Sequence, residues 1–218
     1  MKIVRGSDPG PFAKYGDYKP YLQPLFRSRC AYCISHEDVM GRYDAMQVDH
    51  FRPWSRPEFK HLKTKWKNLY YACQRCNRHK WNHWPTTEQN ALGFRFIDPC
   101  EEDPDDHIRL TRHPKTDELS WLQHLTPAGR YAIEKIRLNR KQLVDIRRGL
   151  ARKEGDEGAA LNRTRQQIEH LANDVEEGRS TPNVEKVLRS LKEEQELILI
   201  RIEDLRSRRP FPVEESVA

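Results

Sequence analysis

The chain has 218 residues, 36% of them hydrophobic and 33% charged, with a mean hydropathy of −0.95, which suits one modest globular core plus polar helices. No apolar run approaches the roughly 20 residues that cross a bilayer, which argues against a transmembrane helix and a membrane partner. The net charge of +6 and a pI of about 9.1 favour a polyanionic partner, although 39 Lys+Arg against 33 Asp+Glu is a modest surplus.

In chain order, the first 29 residues form an arm in which Pro9, Pro11, Pro20 and Pro24 alternate with Tyr15, Tyr18 and Tyr21. That composition predicts irregular chain around a core, with a short helical turn before Cys30. The opening segment Met1–Asp8 turns polar at once and does not read as a secretory leader, so the expected setting is the reducing cytoplasm.

Two Cys-x-x-Cys pairs follow, Cys30/Cys33 and Cys73/Cys76. Two thiolates three apart can grip one Zn2+ from a single tight turn, and two such turns complete a closed structural S4 site. A disulfide reading competes, but paired disulfides are rare in a reducing compartment, and Cys100 is left over. The distance from Cys33 to Cys73 exceeds that of a compact zinc ribbon, so a hairpin and loop must lie between the knuckles.

The stretch from Met46 to Arg52 alternates like a strand and ends at Pro53, and it carries Asp49-His50. Adjacent strand residues face opposite ways, so these two can share a site only if the chain bends beside them. A carboxylate is a hard ligand suited to Mg2+, and an imidazole titrating near neutrality can take a proton from water. From Phe51 to Trp84 the cations Arg52, Arg56, Lys60, Lys63, Lys65, Lys67, Arg75, Arg78 and Lys80 meet the single acid Glu58. Arg52 and Lys80 are the nearest phosphate-binding candidates, with Arg78 behind them, and solvated surface charge is the competing reading for each. Trp54, Trp66, Tyr70, Tyr71, Trp81 and Trp84 are interleaved with these charges. Two or three of the six are expected in the core, and stacking on unpaired bases stays open for the rest.

Asp49-His50, then Asn68, then Cys73-x-x-Cys76-Asn77-x-x-Lys80 resembles the HNH nucleases, in the version where two zinc knuckles flank a ββα-metal core. The resemblance covers roughly residues 26 to 84. It implies His50 as general base, Asp49 and Asn77 as ligands of one catalytic divalent metal, and Asn68 as the residue that orients the base and braces the hairpin. Asn77 stands where most members carry a histidine, so the chain resembles the His-Asn-Asn variant. A neutral amide oxygen favours Mg2+ or Mn2+ over a softer ion, and His79 is a minor alternative ligand. The implied reaction is hydrolysis of DNA or RNA, DNA being favoured. The alternative is a zinc-stapled module that binds nucleic acid or an assembly partner without cutting. A zincin pattern fails because Met40 stands where the second histidine after His36-Glu37 is required. A deaminase pattern fails because Ala72, not proline, precedes Cys73.

Farther on, Phe94 to Asp98 reads as a strand ending at Pro99, Cys100 to Asp106 as an acidic loop, and His107 to Leu110 as another strand with a structural His107. Thr126-Pro127 marks a helix start. Ile136, Leu143 and Leu150, then Leu161, Ile168 and Val175, then Val184, Leu191, Ile198 and Leu205 recur every seven residues. Breaks are expected at Gly155-Asp156-Glu157-Gly158 and at Gly178 to Pro182, which gives a three-helix antiparallel bundle. The predicted class is therefore α+β, with an HNH domain and its arm over 1–125 and a helical assembly module over 126–218. The longer series adding Leu138-Asn139-Arg140 and the Asp98-Pro99 and Asp103-Pro104 loop resembles HNH subunits of Septu- and retron-type anti-phage systems, which implies an ATPase subunit as partner.

Overall fold

The computed structural model describes residues 2–179, 181–208 and 211. They form two compact units, residues 2–147 with Phe211 and residues 148–208. The sequence suggests a boundary at 125/126. In the structure the first helix after Thr126 instead belongs with the preceding residues, because Ala128, Tyr131, Ala132 and Ile136 bury their side chains in the same core as Phe96 and Leu110.

In the first unit, a 3-10 turn at Tyr15–Tyr18 leads into helix α1 (Lys19–Leu25). Tyr18, Leu22 and Phe26 recur at helical spacing and are buried. The arm before them is fastened by Arg5, whose guanidinium donates to the carbonyls of Trp66 (2.9 Å) and Leu69 (2.8 Å) and lies 4.5 Å from the Tyr70 ring centroid. Strands β1 (Met46–His50) and β2 (Leu69–Cys73) pair antiparallel, with Asp49 opposite Tyr70 and His50 opposite Leu69. Helix α2 (Gln74–Lys80) leaves β2 directly, completing the ββα arrangement.

A short helix α3 (Thr87–Ala91) starts from a capping box between Thr86 and Gln89. Phe94 to Asp98 is not a strand: Phe96 and Ile97 bury their side chains, yet the segment lies in neither sheet. A second hairpin, β3 (Ile108–Arg112) with β4 (Leu119–His124), follows, then α4 (Pro127–Ile136), capped by Thr126 accepting from the Gly129 amide. Gly129 is required there, because a Cβ would sit 2.0 Å from the His107 carbonyl oxygen. His107 itself is hydrogen-bonded on both ring nitrogens, to Thr126 Oγ1 (2.7 Å) and Glu102 Oε2 (2.9 Å), a structural role.

Helix α5 (Lys141–Glu176) runs without interruption through Gly155 and Gly158, which corrects the expected break. Each glycine costs only about 1 kcal/mol in a helix interior, and a Cβ at either position would meet nothing within 4 Å. In the second unit, α6 (Pro182–Arg208) returns against α5. Leu161, Ile198 and Ile202 are buried together, and the pairs Arg201–Glu157 and Arg206–Glu154, both 2.9 Å, run in antiparallel order. The heptad seam is thus internal packing. Of the predicted Gly178–Pro182 connection, Ser180 lies outside the described residues, as do residues 209, 210 and 212–218 of the helical module. Among the described residues no helix is long and apolar enough to cross a membrane.

Candidate active site

The four knuckle cysteines are buried and unbridged, and their Sγ atoms lie within 4.8 Å of one another. A tetrahedron with Zn–S legs of about 2.3 Å has edges near ~3.8 Å, so the quartet fits Zn2+. The first knuckle is tied to the sheet by the Ala31 amide, which donates to the Tyr71 carbonyl at 2.7 Å. Burial pushes the Cys30 and Cys76 thiols up, whereas hydrogen bonds from Cys30, Cys73 and Cys76 hold the Cys33 thiol well below its ordinary range. A dication is what allows all four to ionise together. Arg140 donates to Cys76 Sγ at 3.3 Å, and Arg147, buried behind it, donates to the carbonyls of Ser120 (2.7 Å) and Leu138 (3.1 Å). Two guanidiniums therefore stand beside a site that four thiolates and one Zn2+ would leave negative.

Asp49, His50 and Asn77 line one cavity of about 340 Å³, whose walls include Tyr15, Trp54 and Trp81. The chain turns away after His50 through bends at Phe51 and Arg52 to Pro53, which brings both members of the Asp49-His50 step to the cavity. Asn68 holds that bend. Its Oδ1 accepts from the Arg52 amide (2.8 Å), its Nδ2 donates to the Arg52 and Leu62 carbonyls (3.0 and 3.4 Å), and its carbonyl accepts from the Phe51 amide (2.9 Å). It does not line the cavity.

His50 Nε2 lies 2.8 Å from the Lys63 carbonyl oxygen. A carbonyl only accepts, so Nε2 carries the proton and Nδ1 of the neutral ring holds the free lone pair. Burial lowers the His50 pKa below the usual 6.5, with Lys80 and Lys63 adding to the effect and the Lys63 carbonyl and Asp49 opposing it. The Tyr15 ring meets the imidazole edge-on at 4.7 Å between centroids, and Trp54 lies 6.0 Å away.

Asn77 donates its amide N–H to Gln47 Oε1 at 2.8 Å, which fixes the side chain and leaves its oxygen as the atom that can meet a cation. Gln47 was not anticipated, although it sits two residues before Asp49 and so on the same strand face. His79, one position beyond Arg78 on α2, does not line the cavity; after burial, the charges that most depress its pKa are Arg140, Arg137, Arg78 and Arg75.

Lys80 requires a correction. Expected as a phosphate contact, it is 0% exposed and donates to Asp49 Oδ2 (3.0 Å) and the His50 carbonyl (2.6 Å). Tyr32 donates its hydroxyl to the same carboxylate oxygen. Helical spacing explains the burial, because Lys80 lies four residues after buried Cys76 on the inward face of α2. Arg52 and Arg78 are exposed.

Trp81 ends α2 with φ 47° and ψ −130° and is 69% exposed. That backbone region costs a bulky residue about 1–3 kcal/mol.

Comparison with known proteins places these residues in a family. The model described as "HNH endonuclease" matches residues 30–83. The chain is 30% identical over 96 residues to Septu protein PtuB of Bacillus thuringiensis, an alignment that takes in 42% of this chain and 34% of that protein. It is 23% identical over 149 residues to Septu protein PtuA of Bacillus mycoides, covering 58% of this chain and 20% of that protein. The chain therefore spans about a third and a fifth of these two relatives. No solved structure matches. The four-cysteine ββα segment over residues 30–83 is an HNH endonuclease family domain within a longer chain.

Proposed function

We propose that this protein is a metal-dependent endonuclease that hydrolyses phosphodiester bonds of DNA or RNA, and that it acts as the nuclease of an anti-phage defence assembly. The carrying observation is the convergence of Asp49, His50 and Asn77 on one cavity, with His50 Nδ1 free to act as a base.

In this reading Asp49 and the Asn77 amide oxygen would hold one Mg2+ or Mn2+, hard ions suited to oxygen ligands. When bound, that ion stabilises charge growing on the phosphoryl and leaving oxygens. His50 Nδ1 takes the proton of the attacking water while Nε2–H stays fixed to Lys63, which aims the lone pair. Asn68 keeps the bend that carries His50 in register, a positioning rather than a catalytic role. Lys80 and Tyr32 hold Asp49 Oδ2, leaving Oδ1 for the ion. Arg52 and Arg78 offer exposed charge to flanking phosphates.

Both relatives are named as Septu proteins, which supports a defence setting with a protein partner; that the partner is an ATPase subunit and the setting the cytoplasm is part of the proposal. The helical region offers a place for assembly: Leu197 and Ile200 on α6 are 57% and 65% exposed. The competing reading, a zinc-stapled module that binds without cutting, draws its support from Asp49 Oδ2, already committed to Lys80 and Tyr32.

Plasmid and single-stranded substrates incubated with Mg2+ or Mn2+ decide between them, using the complex purified with its partner. Wild type should nick, and His50→Ala and Asn77→Ala should each lose that activity. Equal nicking by His50→Ala overturns the assignment.

A further inference from the structure

We infer that Trp81 is a stacking platform for an unpaired nucleobase beside the scissile phosphate, so that the site selects single-stranded or locally opened nucleic acid. The inference rests on the nuclease reading above and adds what that reading leaves open, the strandedness of the substrate.

Three independent features of Trp81 converge. The residue is 69% exposed, the most exposed aromatic among the described large hydrophobics, and exposure of so large an apolar side chain is unfavourable unless something covers it. Its backbone sits at φ 47°, a conformation that glycine adopts freely and tryptophan does not. And it lines the cavity that holds Asp49, His50 and Asn77. A strained, exposed tryptophan that contributes nothing evident to the core thus stands at the rim where a substrate would pass. The inference runs from the backbone outlier to function.

The surroundings suit a base rather than a flat protein surface. Tyr15, on the arm, and Trp54 complete an aromatic wall around His50. Lys63 Nζ lies 4.3 Å from the Trp54 ring centroid, and Arg52 and Arg78 are exposed nearby in sequence. Aromatic faces set among cations are how single strands are held without sequence readout, each base covering a ring while its phosphate meets a cation. A paired base has both faces occupied by its neighbours and can reach Trp81 only after leaving the stack. DNA and RNA share this chemistry, so the proposal names an unpaired base and leaves the sugar to the test.

The test uses the full, zinc-loaded chain carrying His50→Ala, so that binding is measured without cleavage. The probes are fluorescent single strands of about 12 nucleotides, one DNA and one RNA, and a DNA duplex of the same sequence. Trp81→Gly, which relaxes the backbone as it removes the ring, should weaken single-strand binding on the order of 5- to 150-fold, whereas Trp81→Phe should stay within about threefold. Duplex binding should be unchanged, and the thermal midpoint of Trp81→Gly should equal or exceed that of the parent. Loss confined to DNA or to RNA supports the proposal and identifies the substrate. Unchanged single-strand binding by Trp81→Gly, equal loss on duplex and single strand, or a lowered midpoint that marks a packing role overturns it. If the parent binds no nucleic acid at all, the nuclease reading itself falls, an outcome distinct from failure of the stack alone.

Discussion

Replacement of Lys80 by methionine is the sharpest probe of how the site is built. Methionine preserves most of the stem's volume between the Tyr32 and Phe96 rings, each 5.8 Å from Nζ, and deletes only the ammonium. Asp49 is then left 5% exposed with the Tyr32 hydroxyl as its remaining partner on Oδ2, and the His50 carbonyl loses a 2.6 Å hydrogen bond. Breaking a buried ion pair by removing one member costs about 3–5 kcal/mol, because the other charge stays uncompensated. Neutralising that charge should recover much of the loss, so Lys80→Met/Asp49→Asn should be more stable than Lys80→Met alone. Urea denaturation followed by tryptophan fluorescence suits the measurement, since Trp54, Trp66, Trp81, Trp84 and Trp121 all lie in the first compact unit. A loss below about 1 kcal/mol, the range of an exposed pair, refutes the reasoning, as does a double variant that falls by the sum of the singles.

Three further outcomes are expected. The His50 pKa is lowered below 6.5 and the base must be neutral, so cleavage should be flat through neutrality and fall about tenfold per pH unit below a midpoint under 6.5; a midpoint above 6.5 in a pH–rate profile contradicts this. Asn68→Ala removes the part-buried bonds to the amide and carbonyl that hold the Arg52 bend, at about 1 kcal/mol each, and it should lower kcat more than it raises KM. Cys73→Ser should abolish stoichiometric zinc by elemental analysis and lower the melting temperature of the first unit, because zinc affinity there is folding free energy; retained zinc and unchanged melting contradict the S4 staple.

The chemistry-bearing parts of this fold are legible in the sequence because they are local. Each cysteine pair is a single turn, and Asn77 is fixed relative to Cys76 by one peptide bond. Lys80 reads as surface charge only if its helix is ignored, since the spacing from Cys73 through Cys76 to Lys80 marks the inward face of α2. Arg147 is similarly disguised, four residues after Leu143 on the buried side of α5. The strand β4 escapes notice because its inward residues are Ser120 and Leu122 while Trp121 is only partly buried, so no apolar alternation shows. Tyr15 is not recoverable at all: its place against His50 depends on the path of the arm, which Arg5 fixes through carbonyls far along the chain. The glycines at 155 and 158 mislead because local propensity is a weak term in a 36-residue helix.

The proposed nuclease chemistry depends on one divalent ion lying between the Asp49 carboxylate and the Asn77 amide. Anomalous scattering from crystals grown with Mn2+ locates it directly. A manganese peak is expected in the cavity beside His50, with a separate zinc peak among Cys30, Cys33, Cys73 and Cys76; manganese bound elsewhere, with the cavity holding none, contradicts the proposed site.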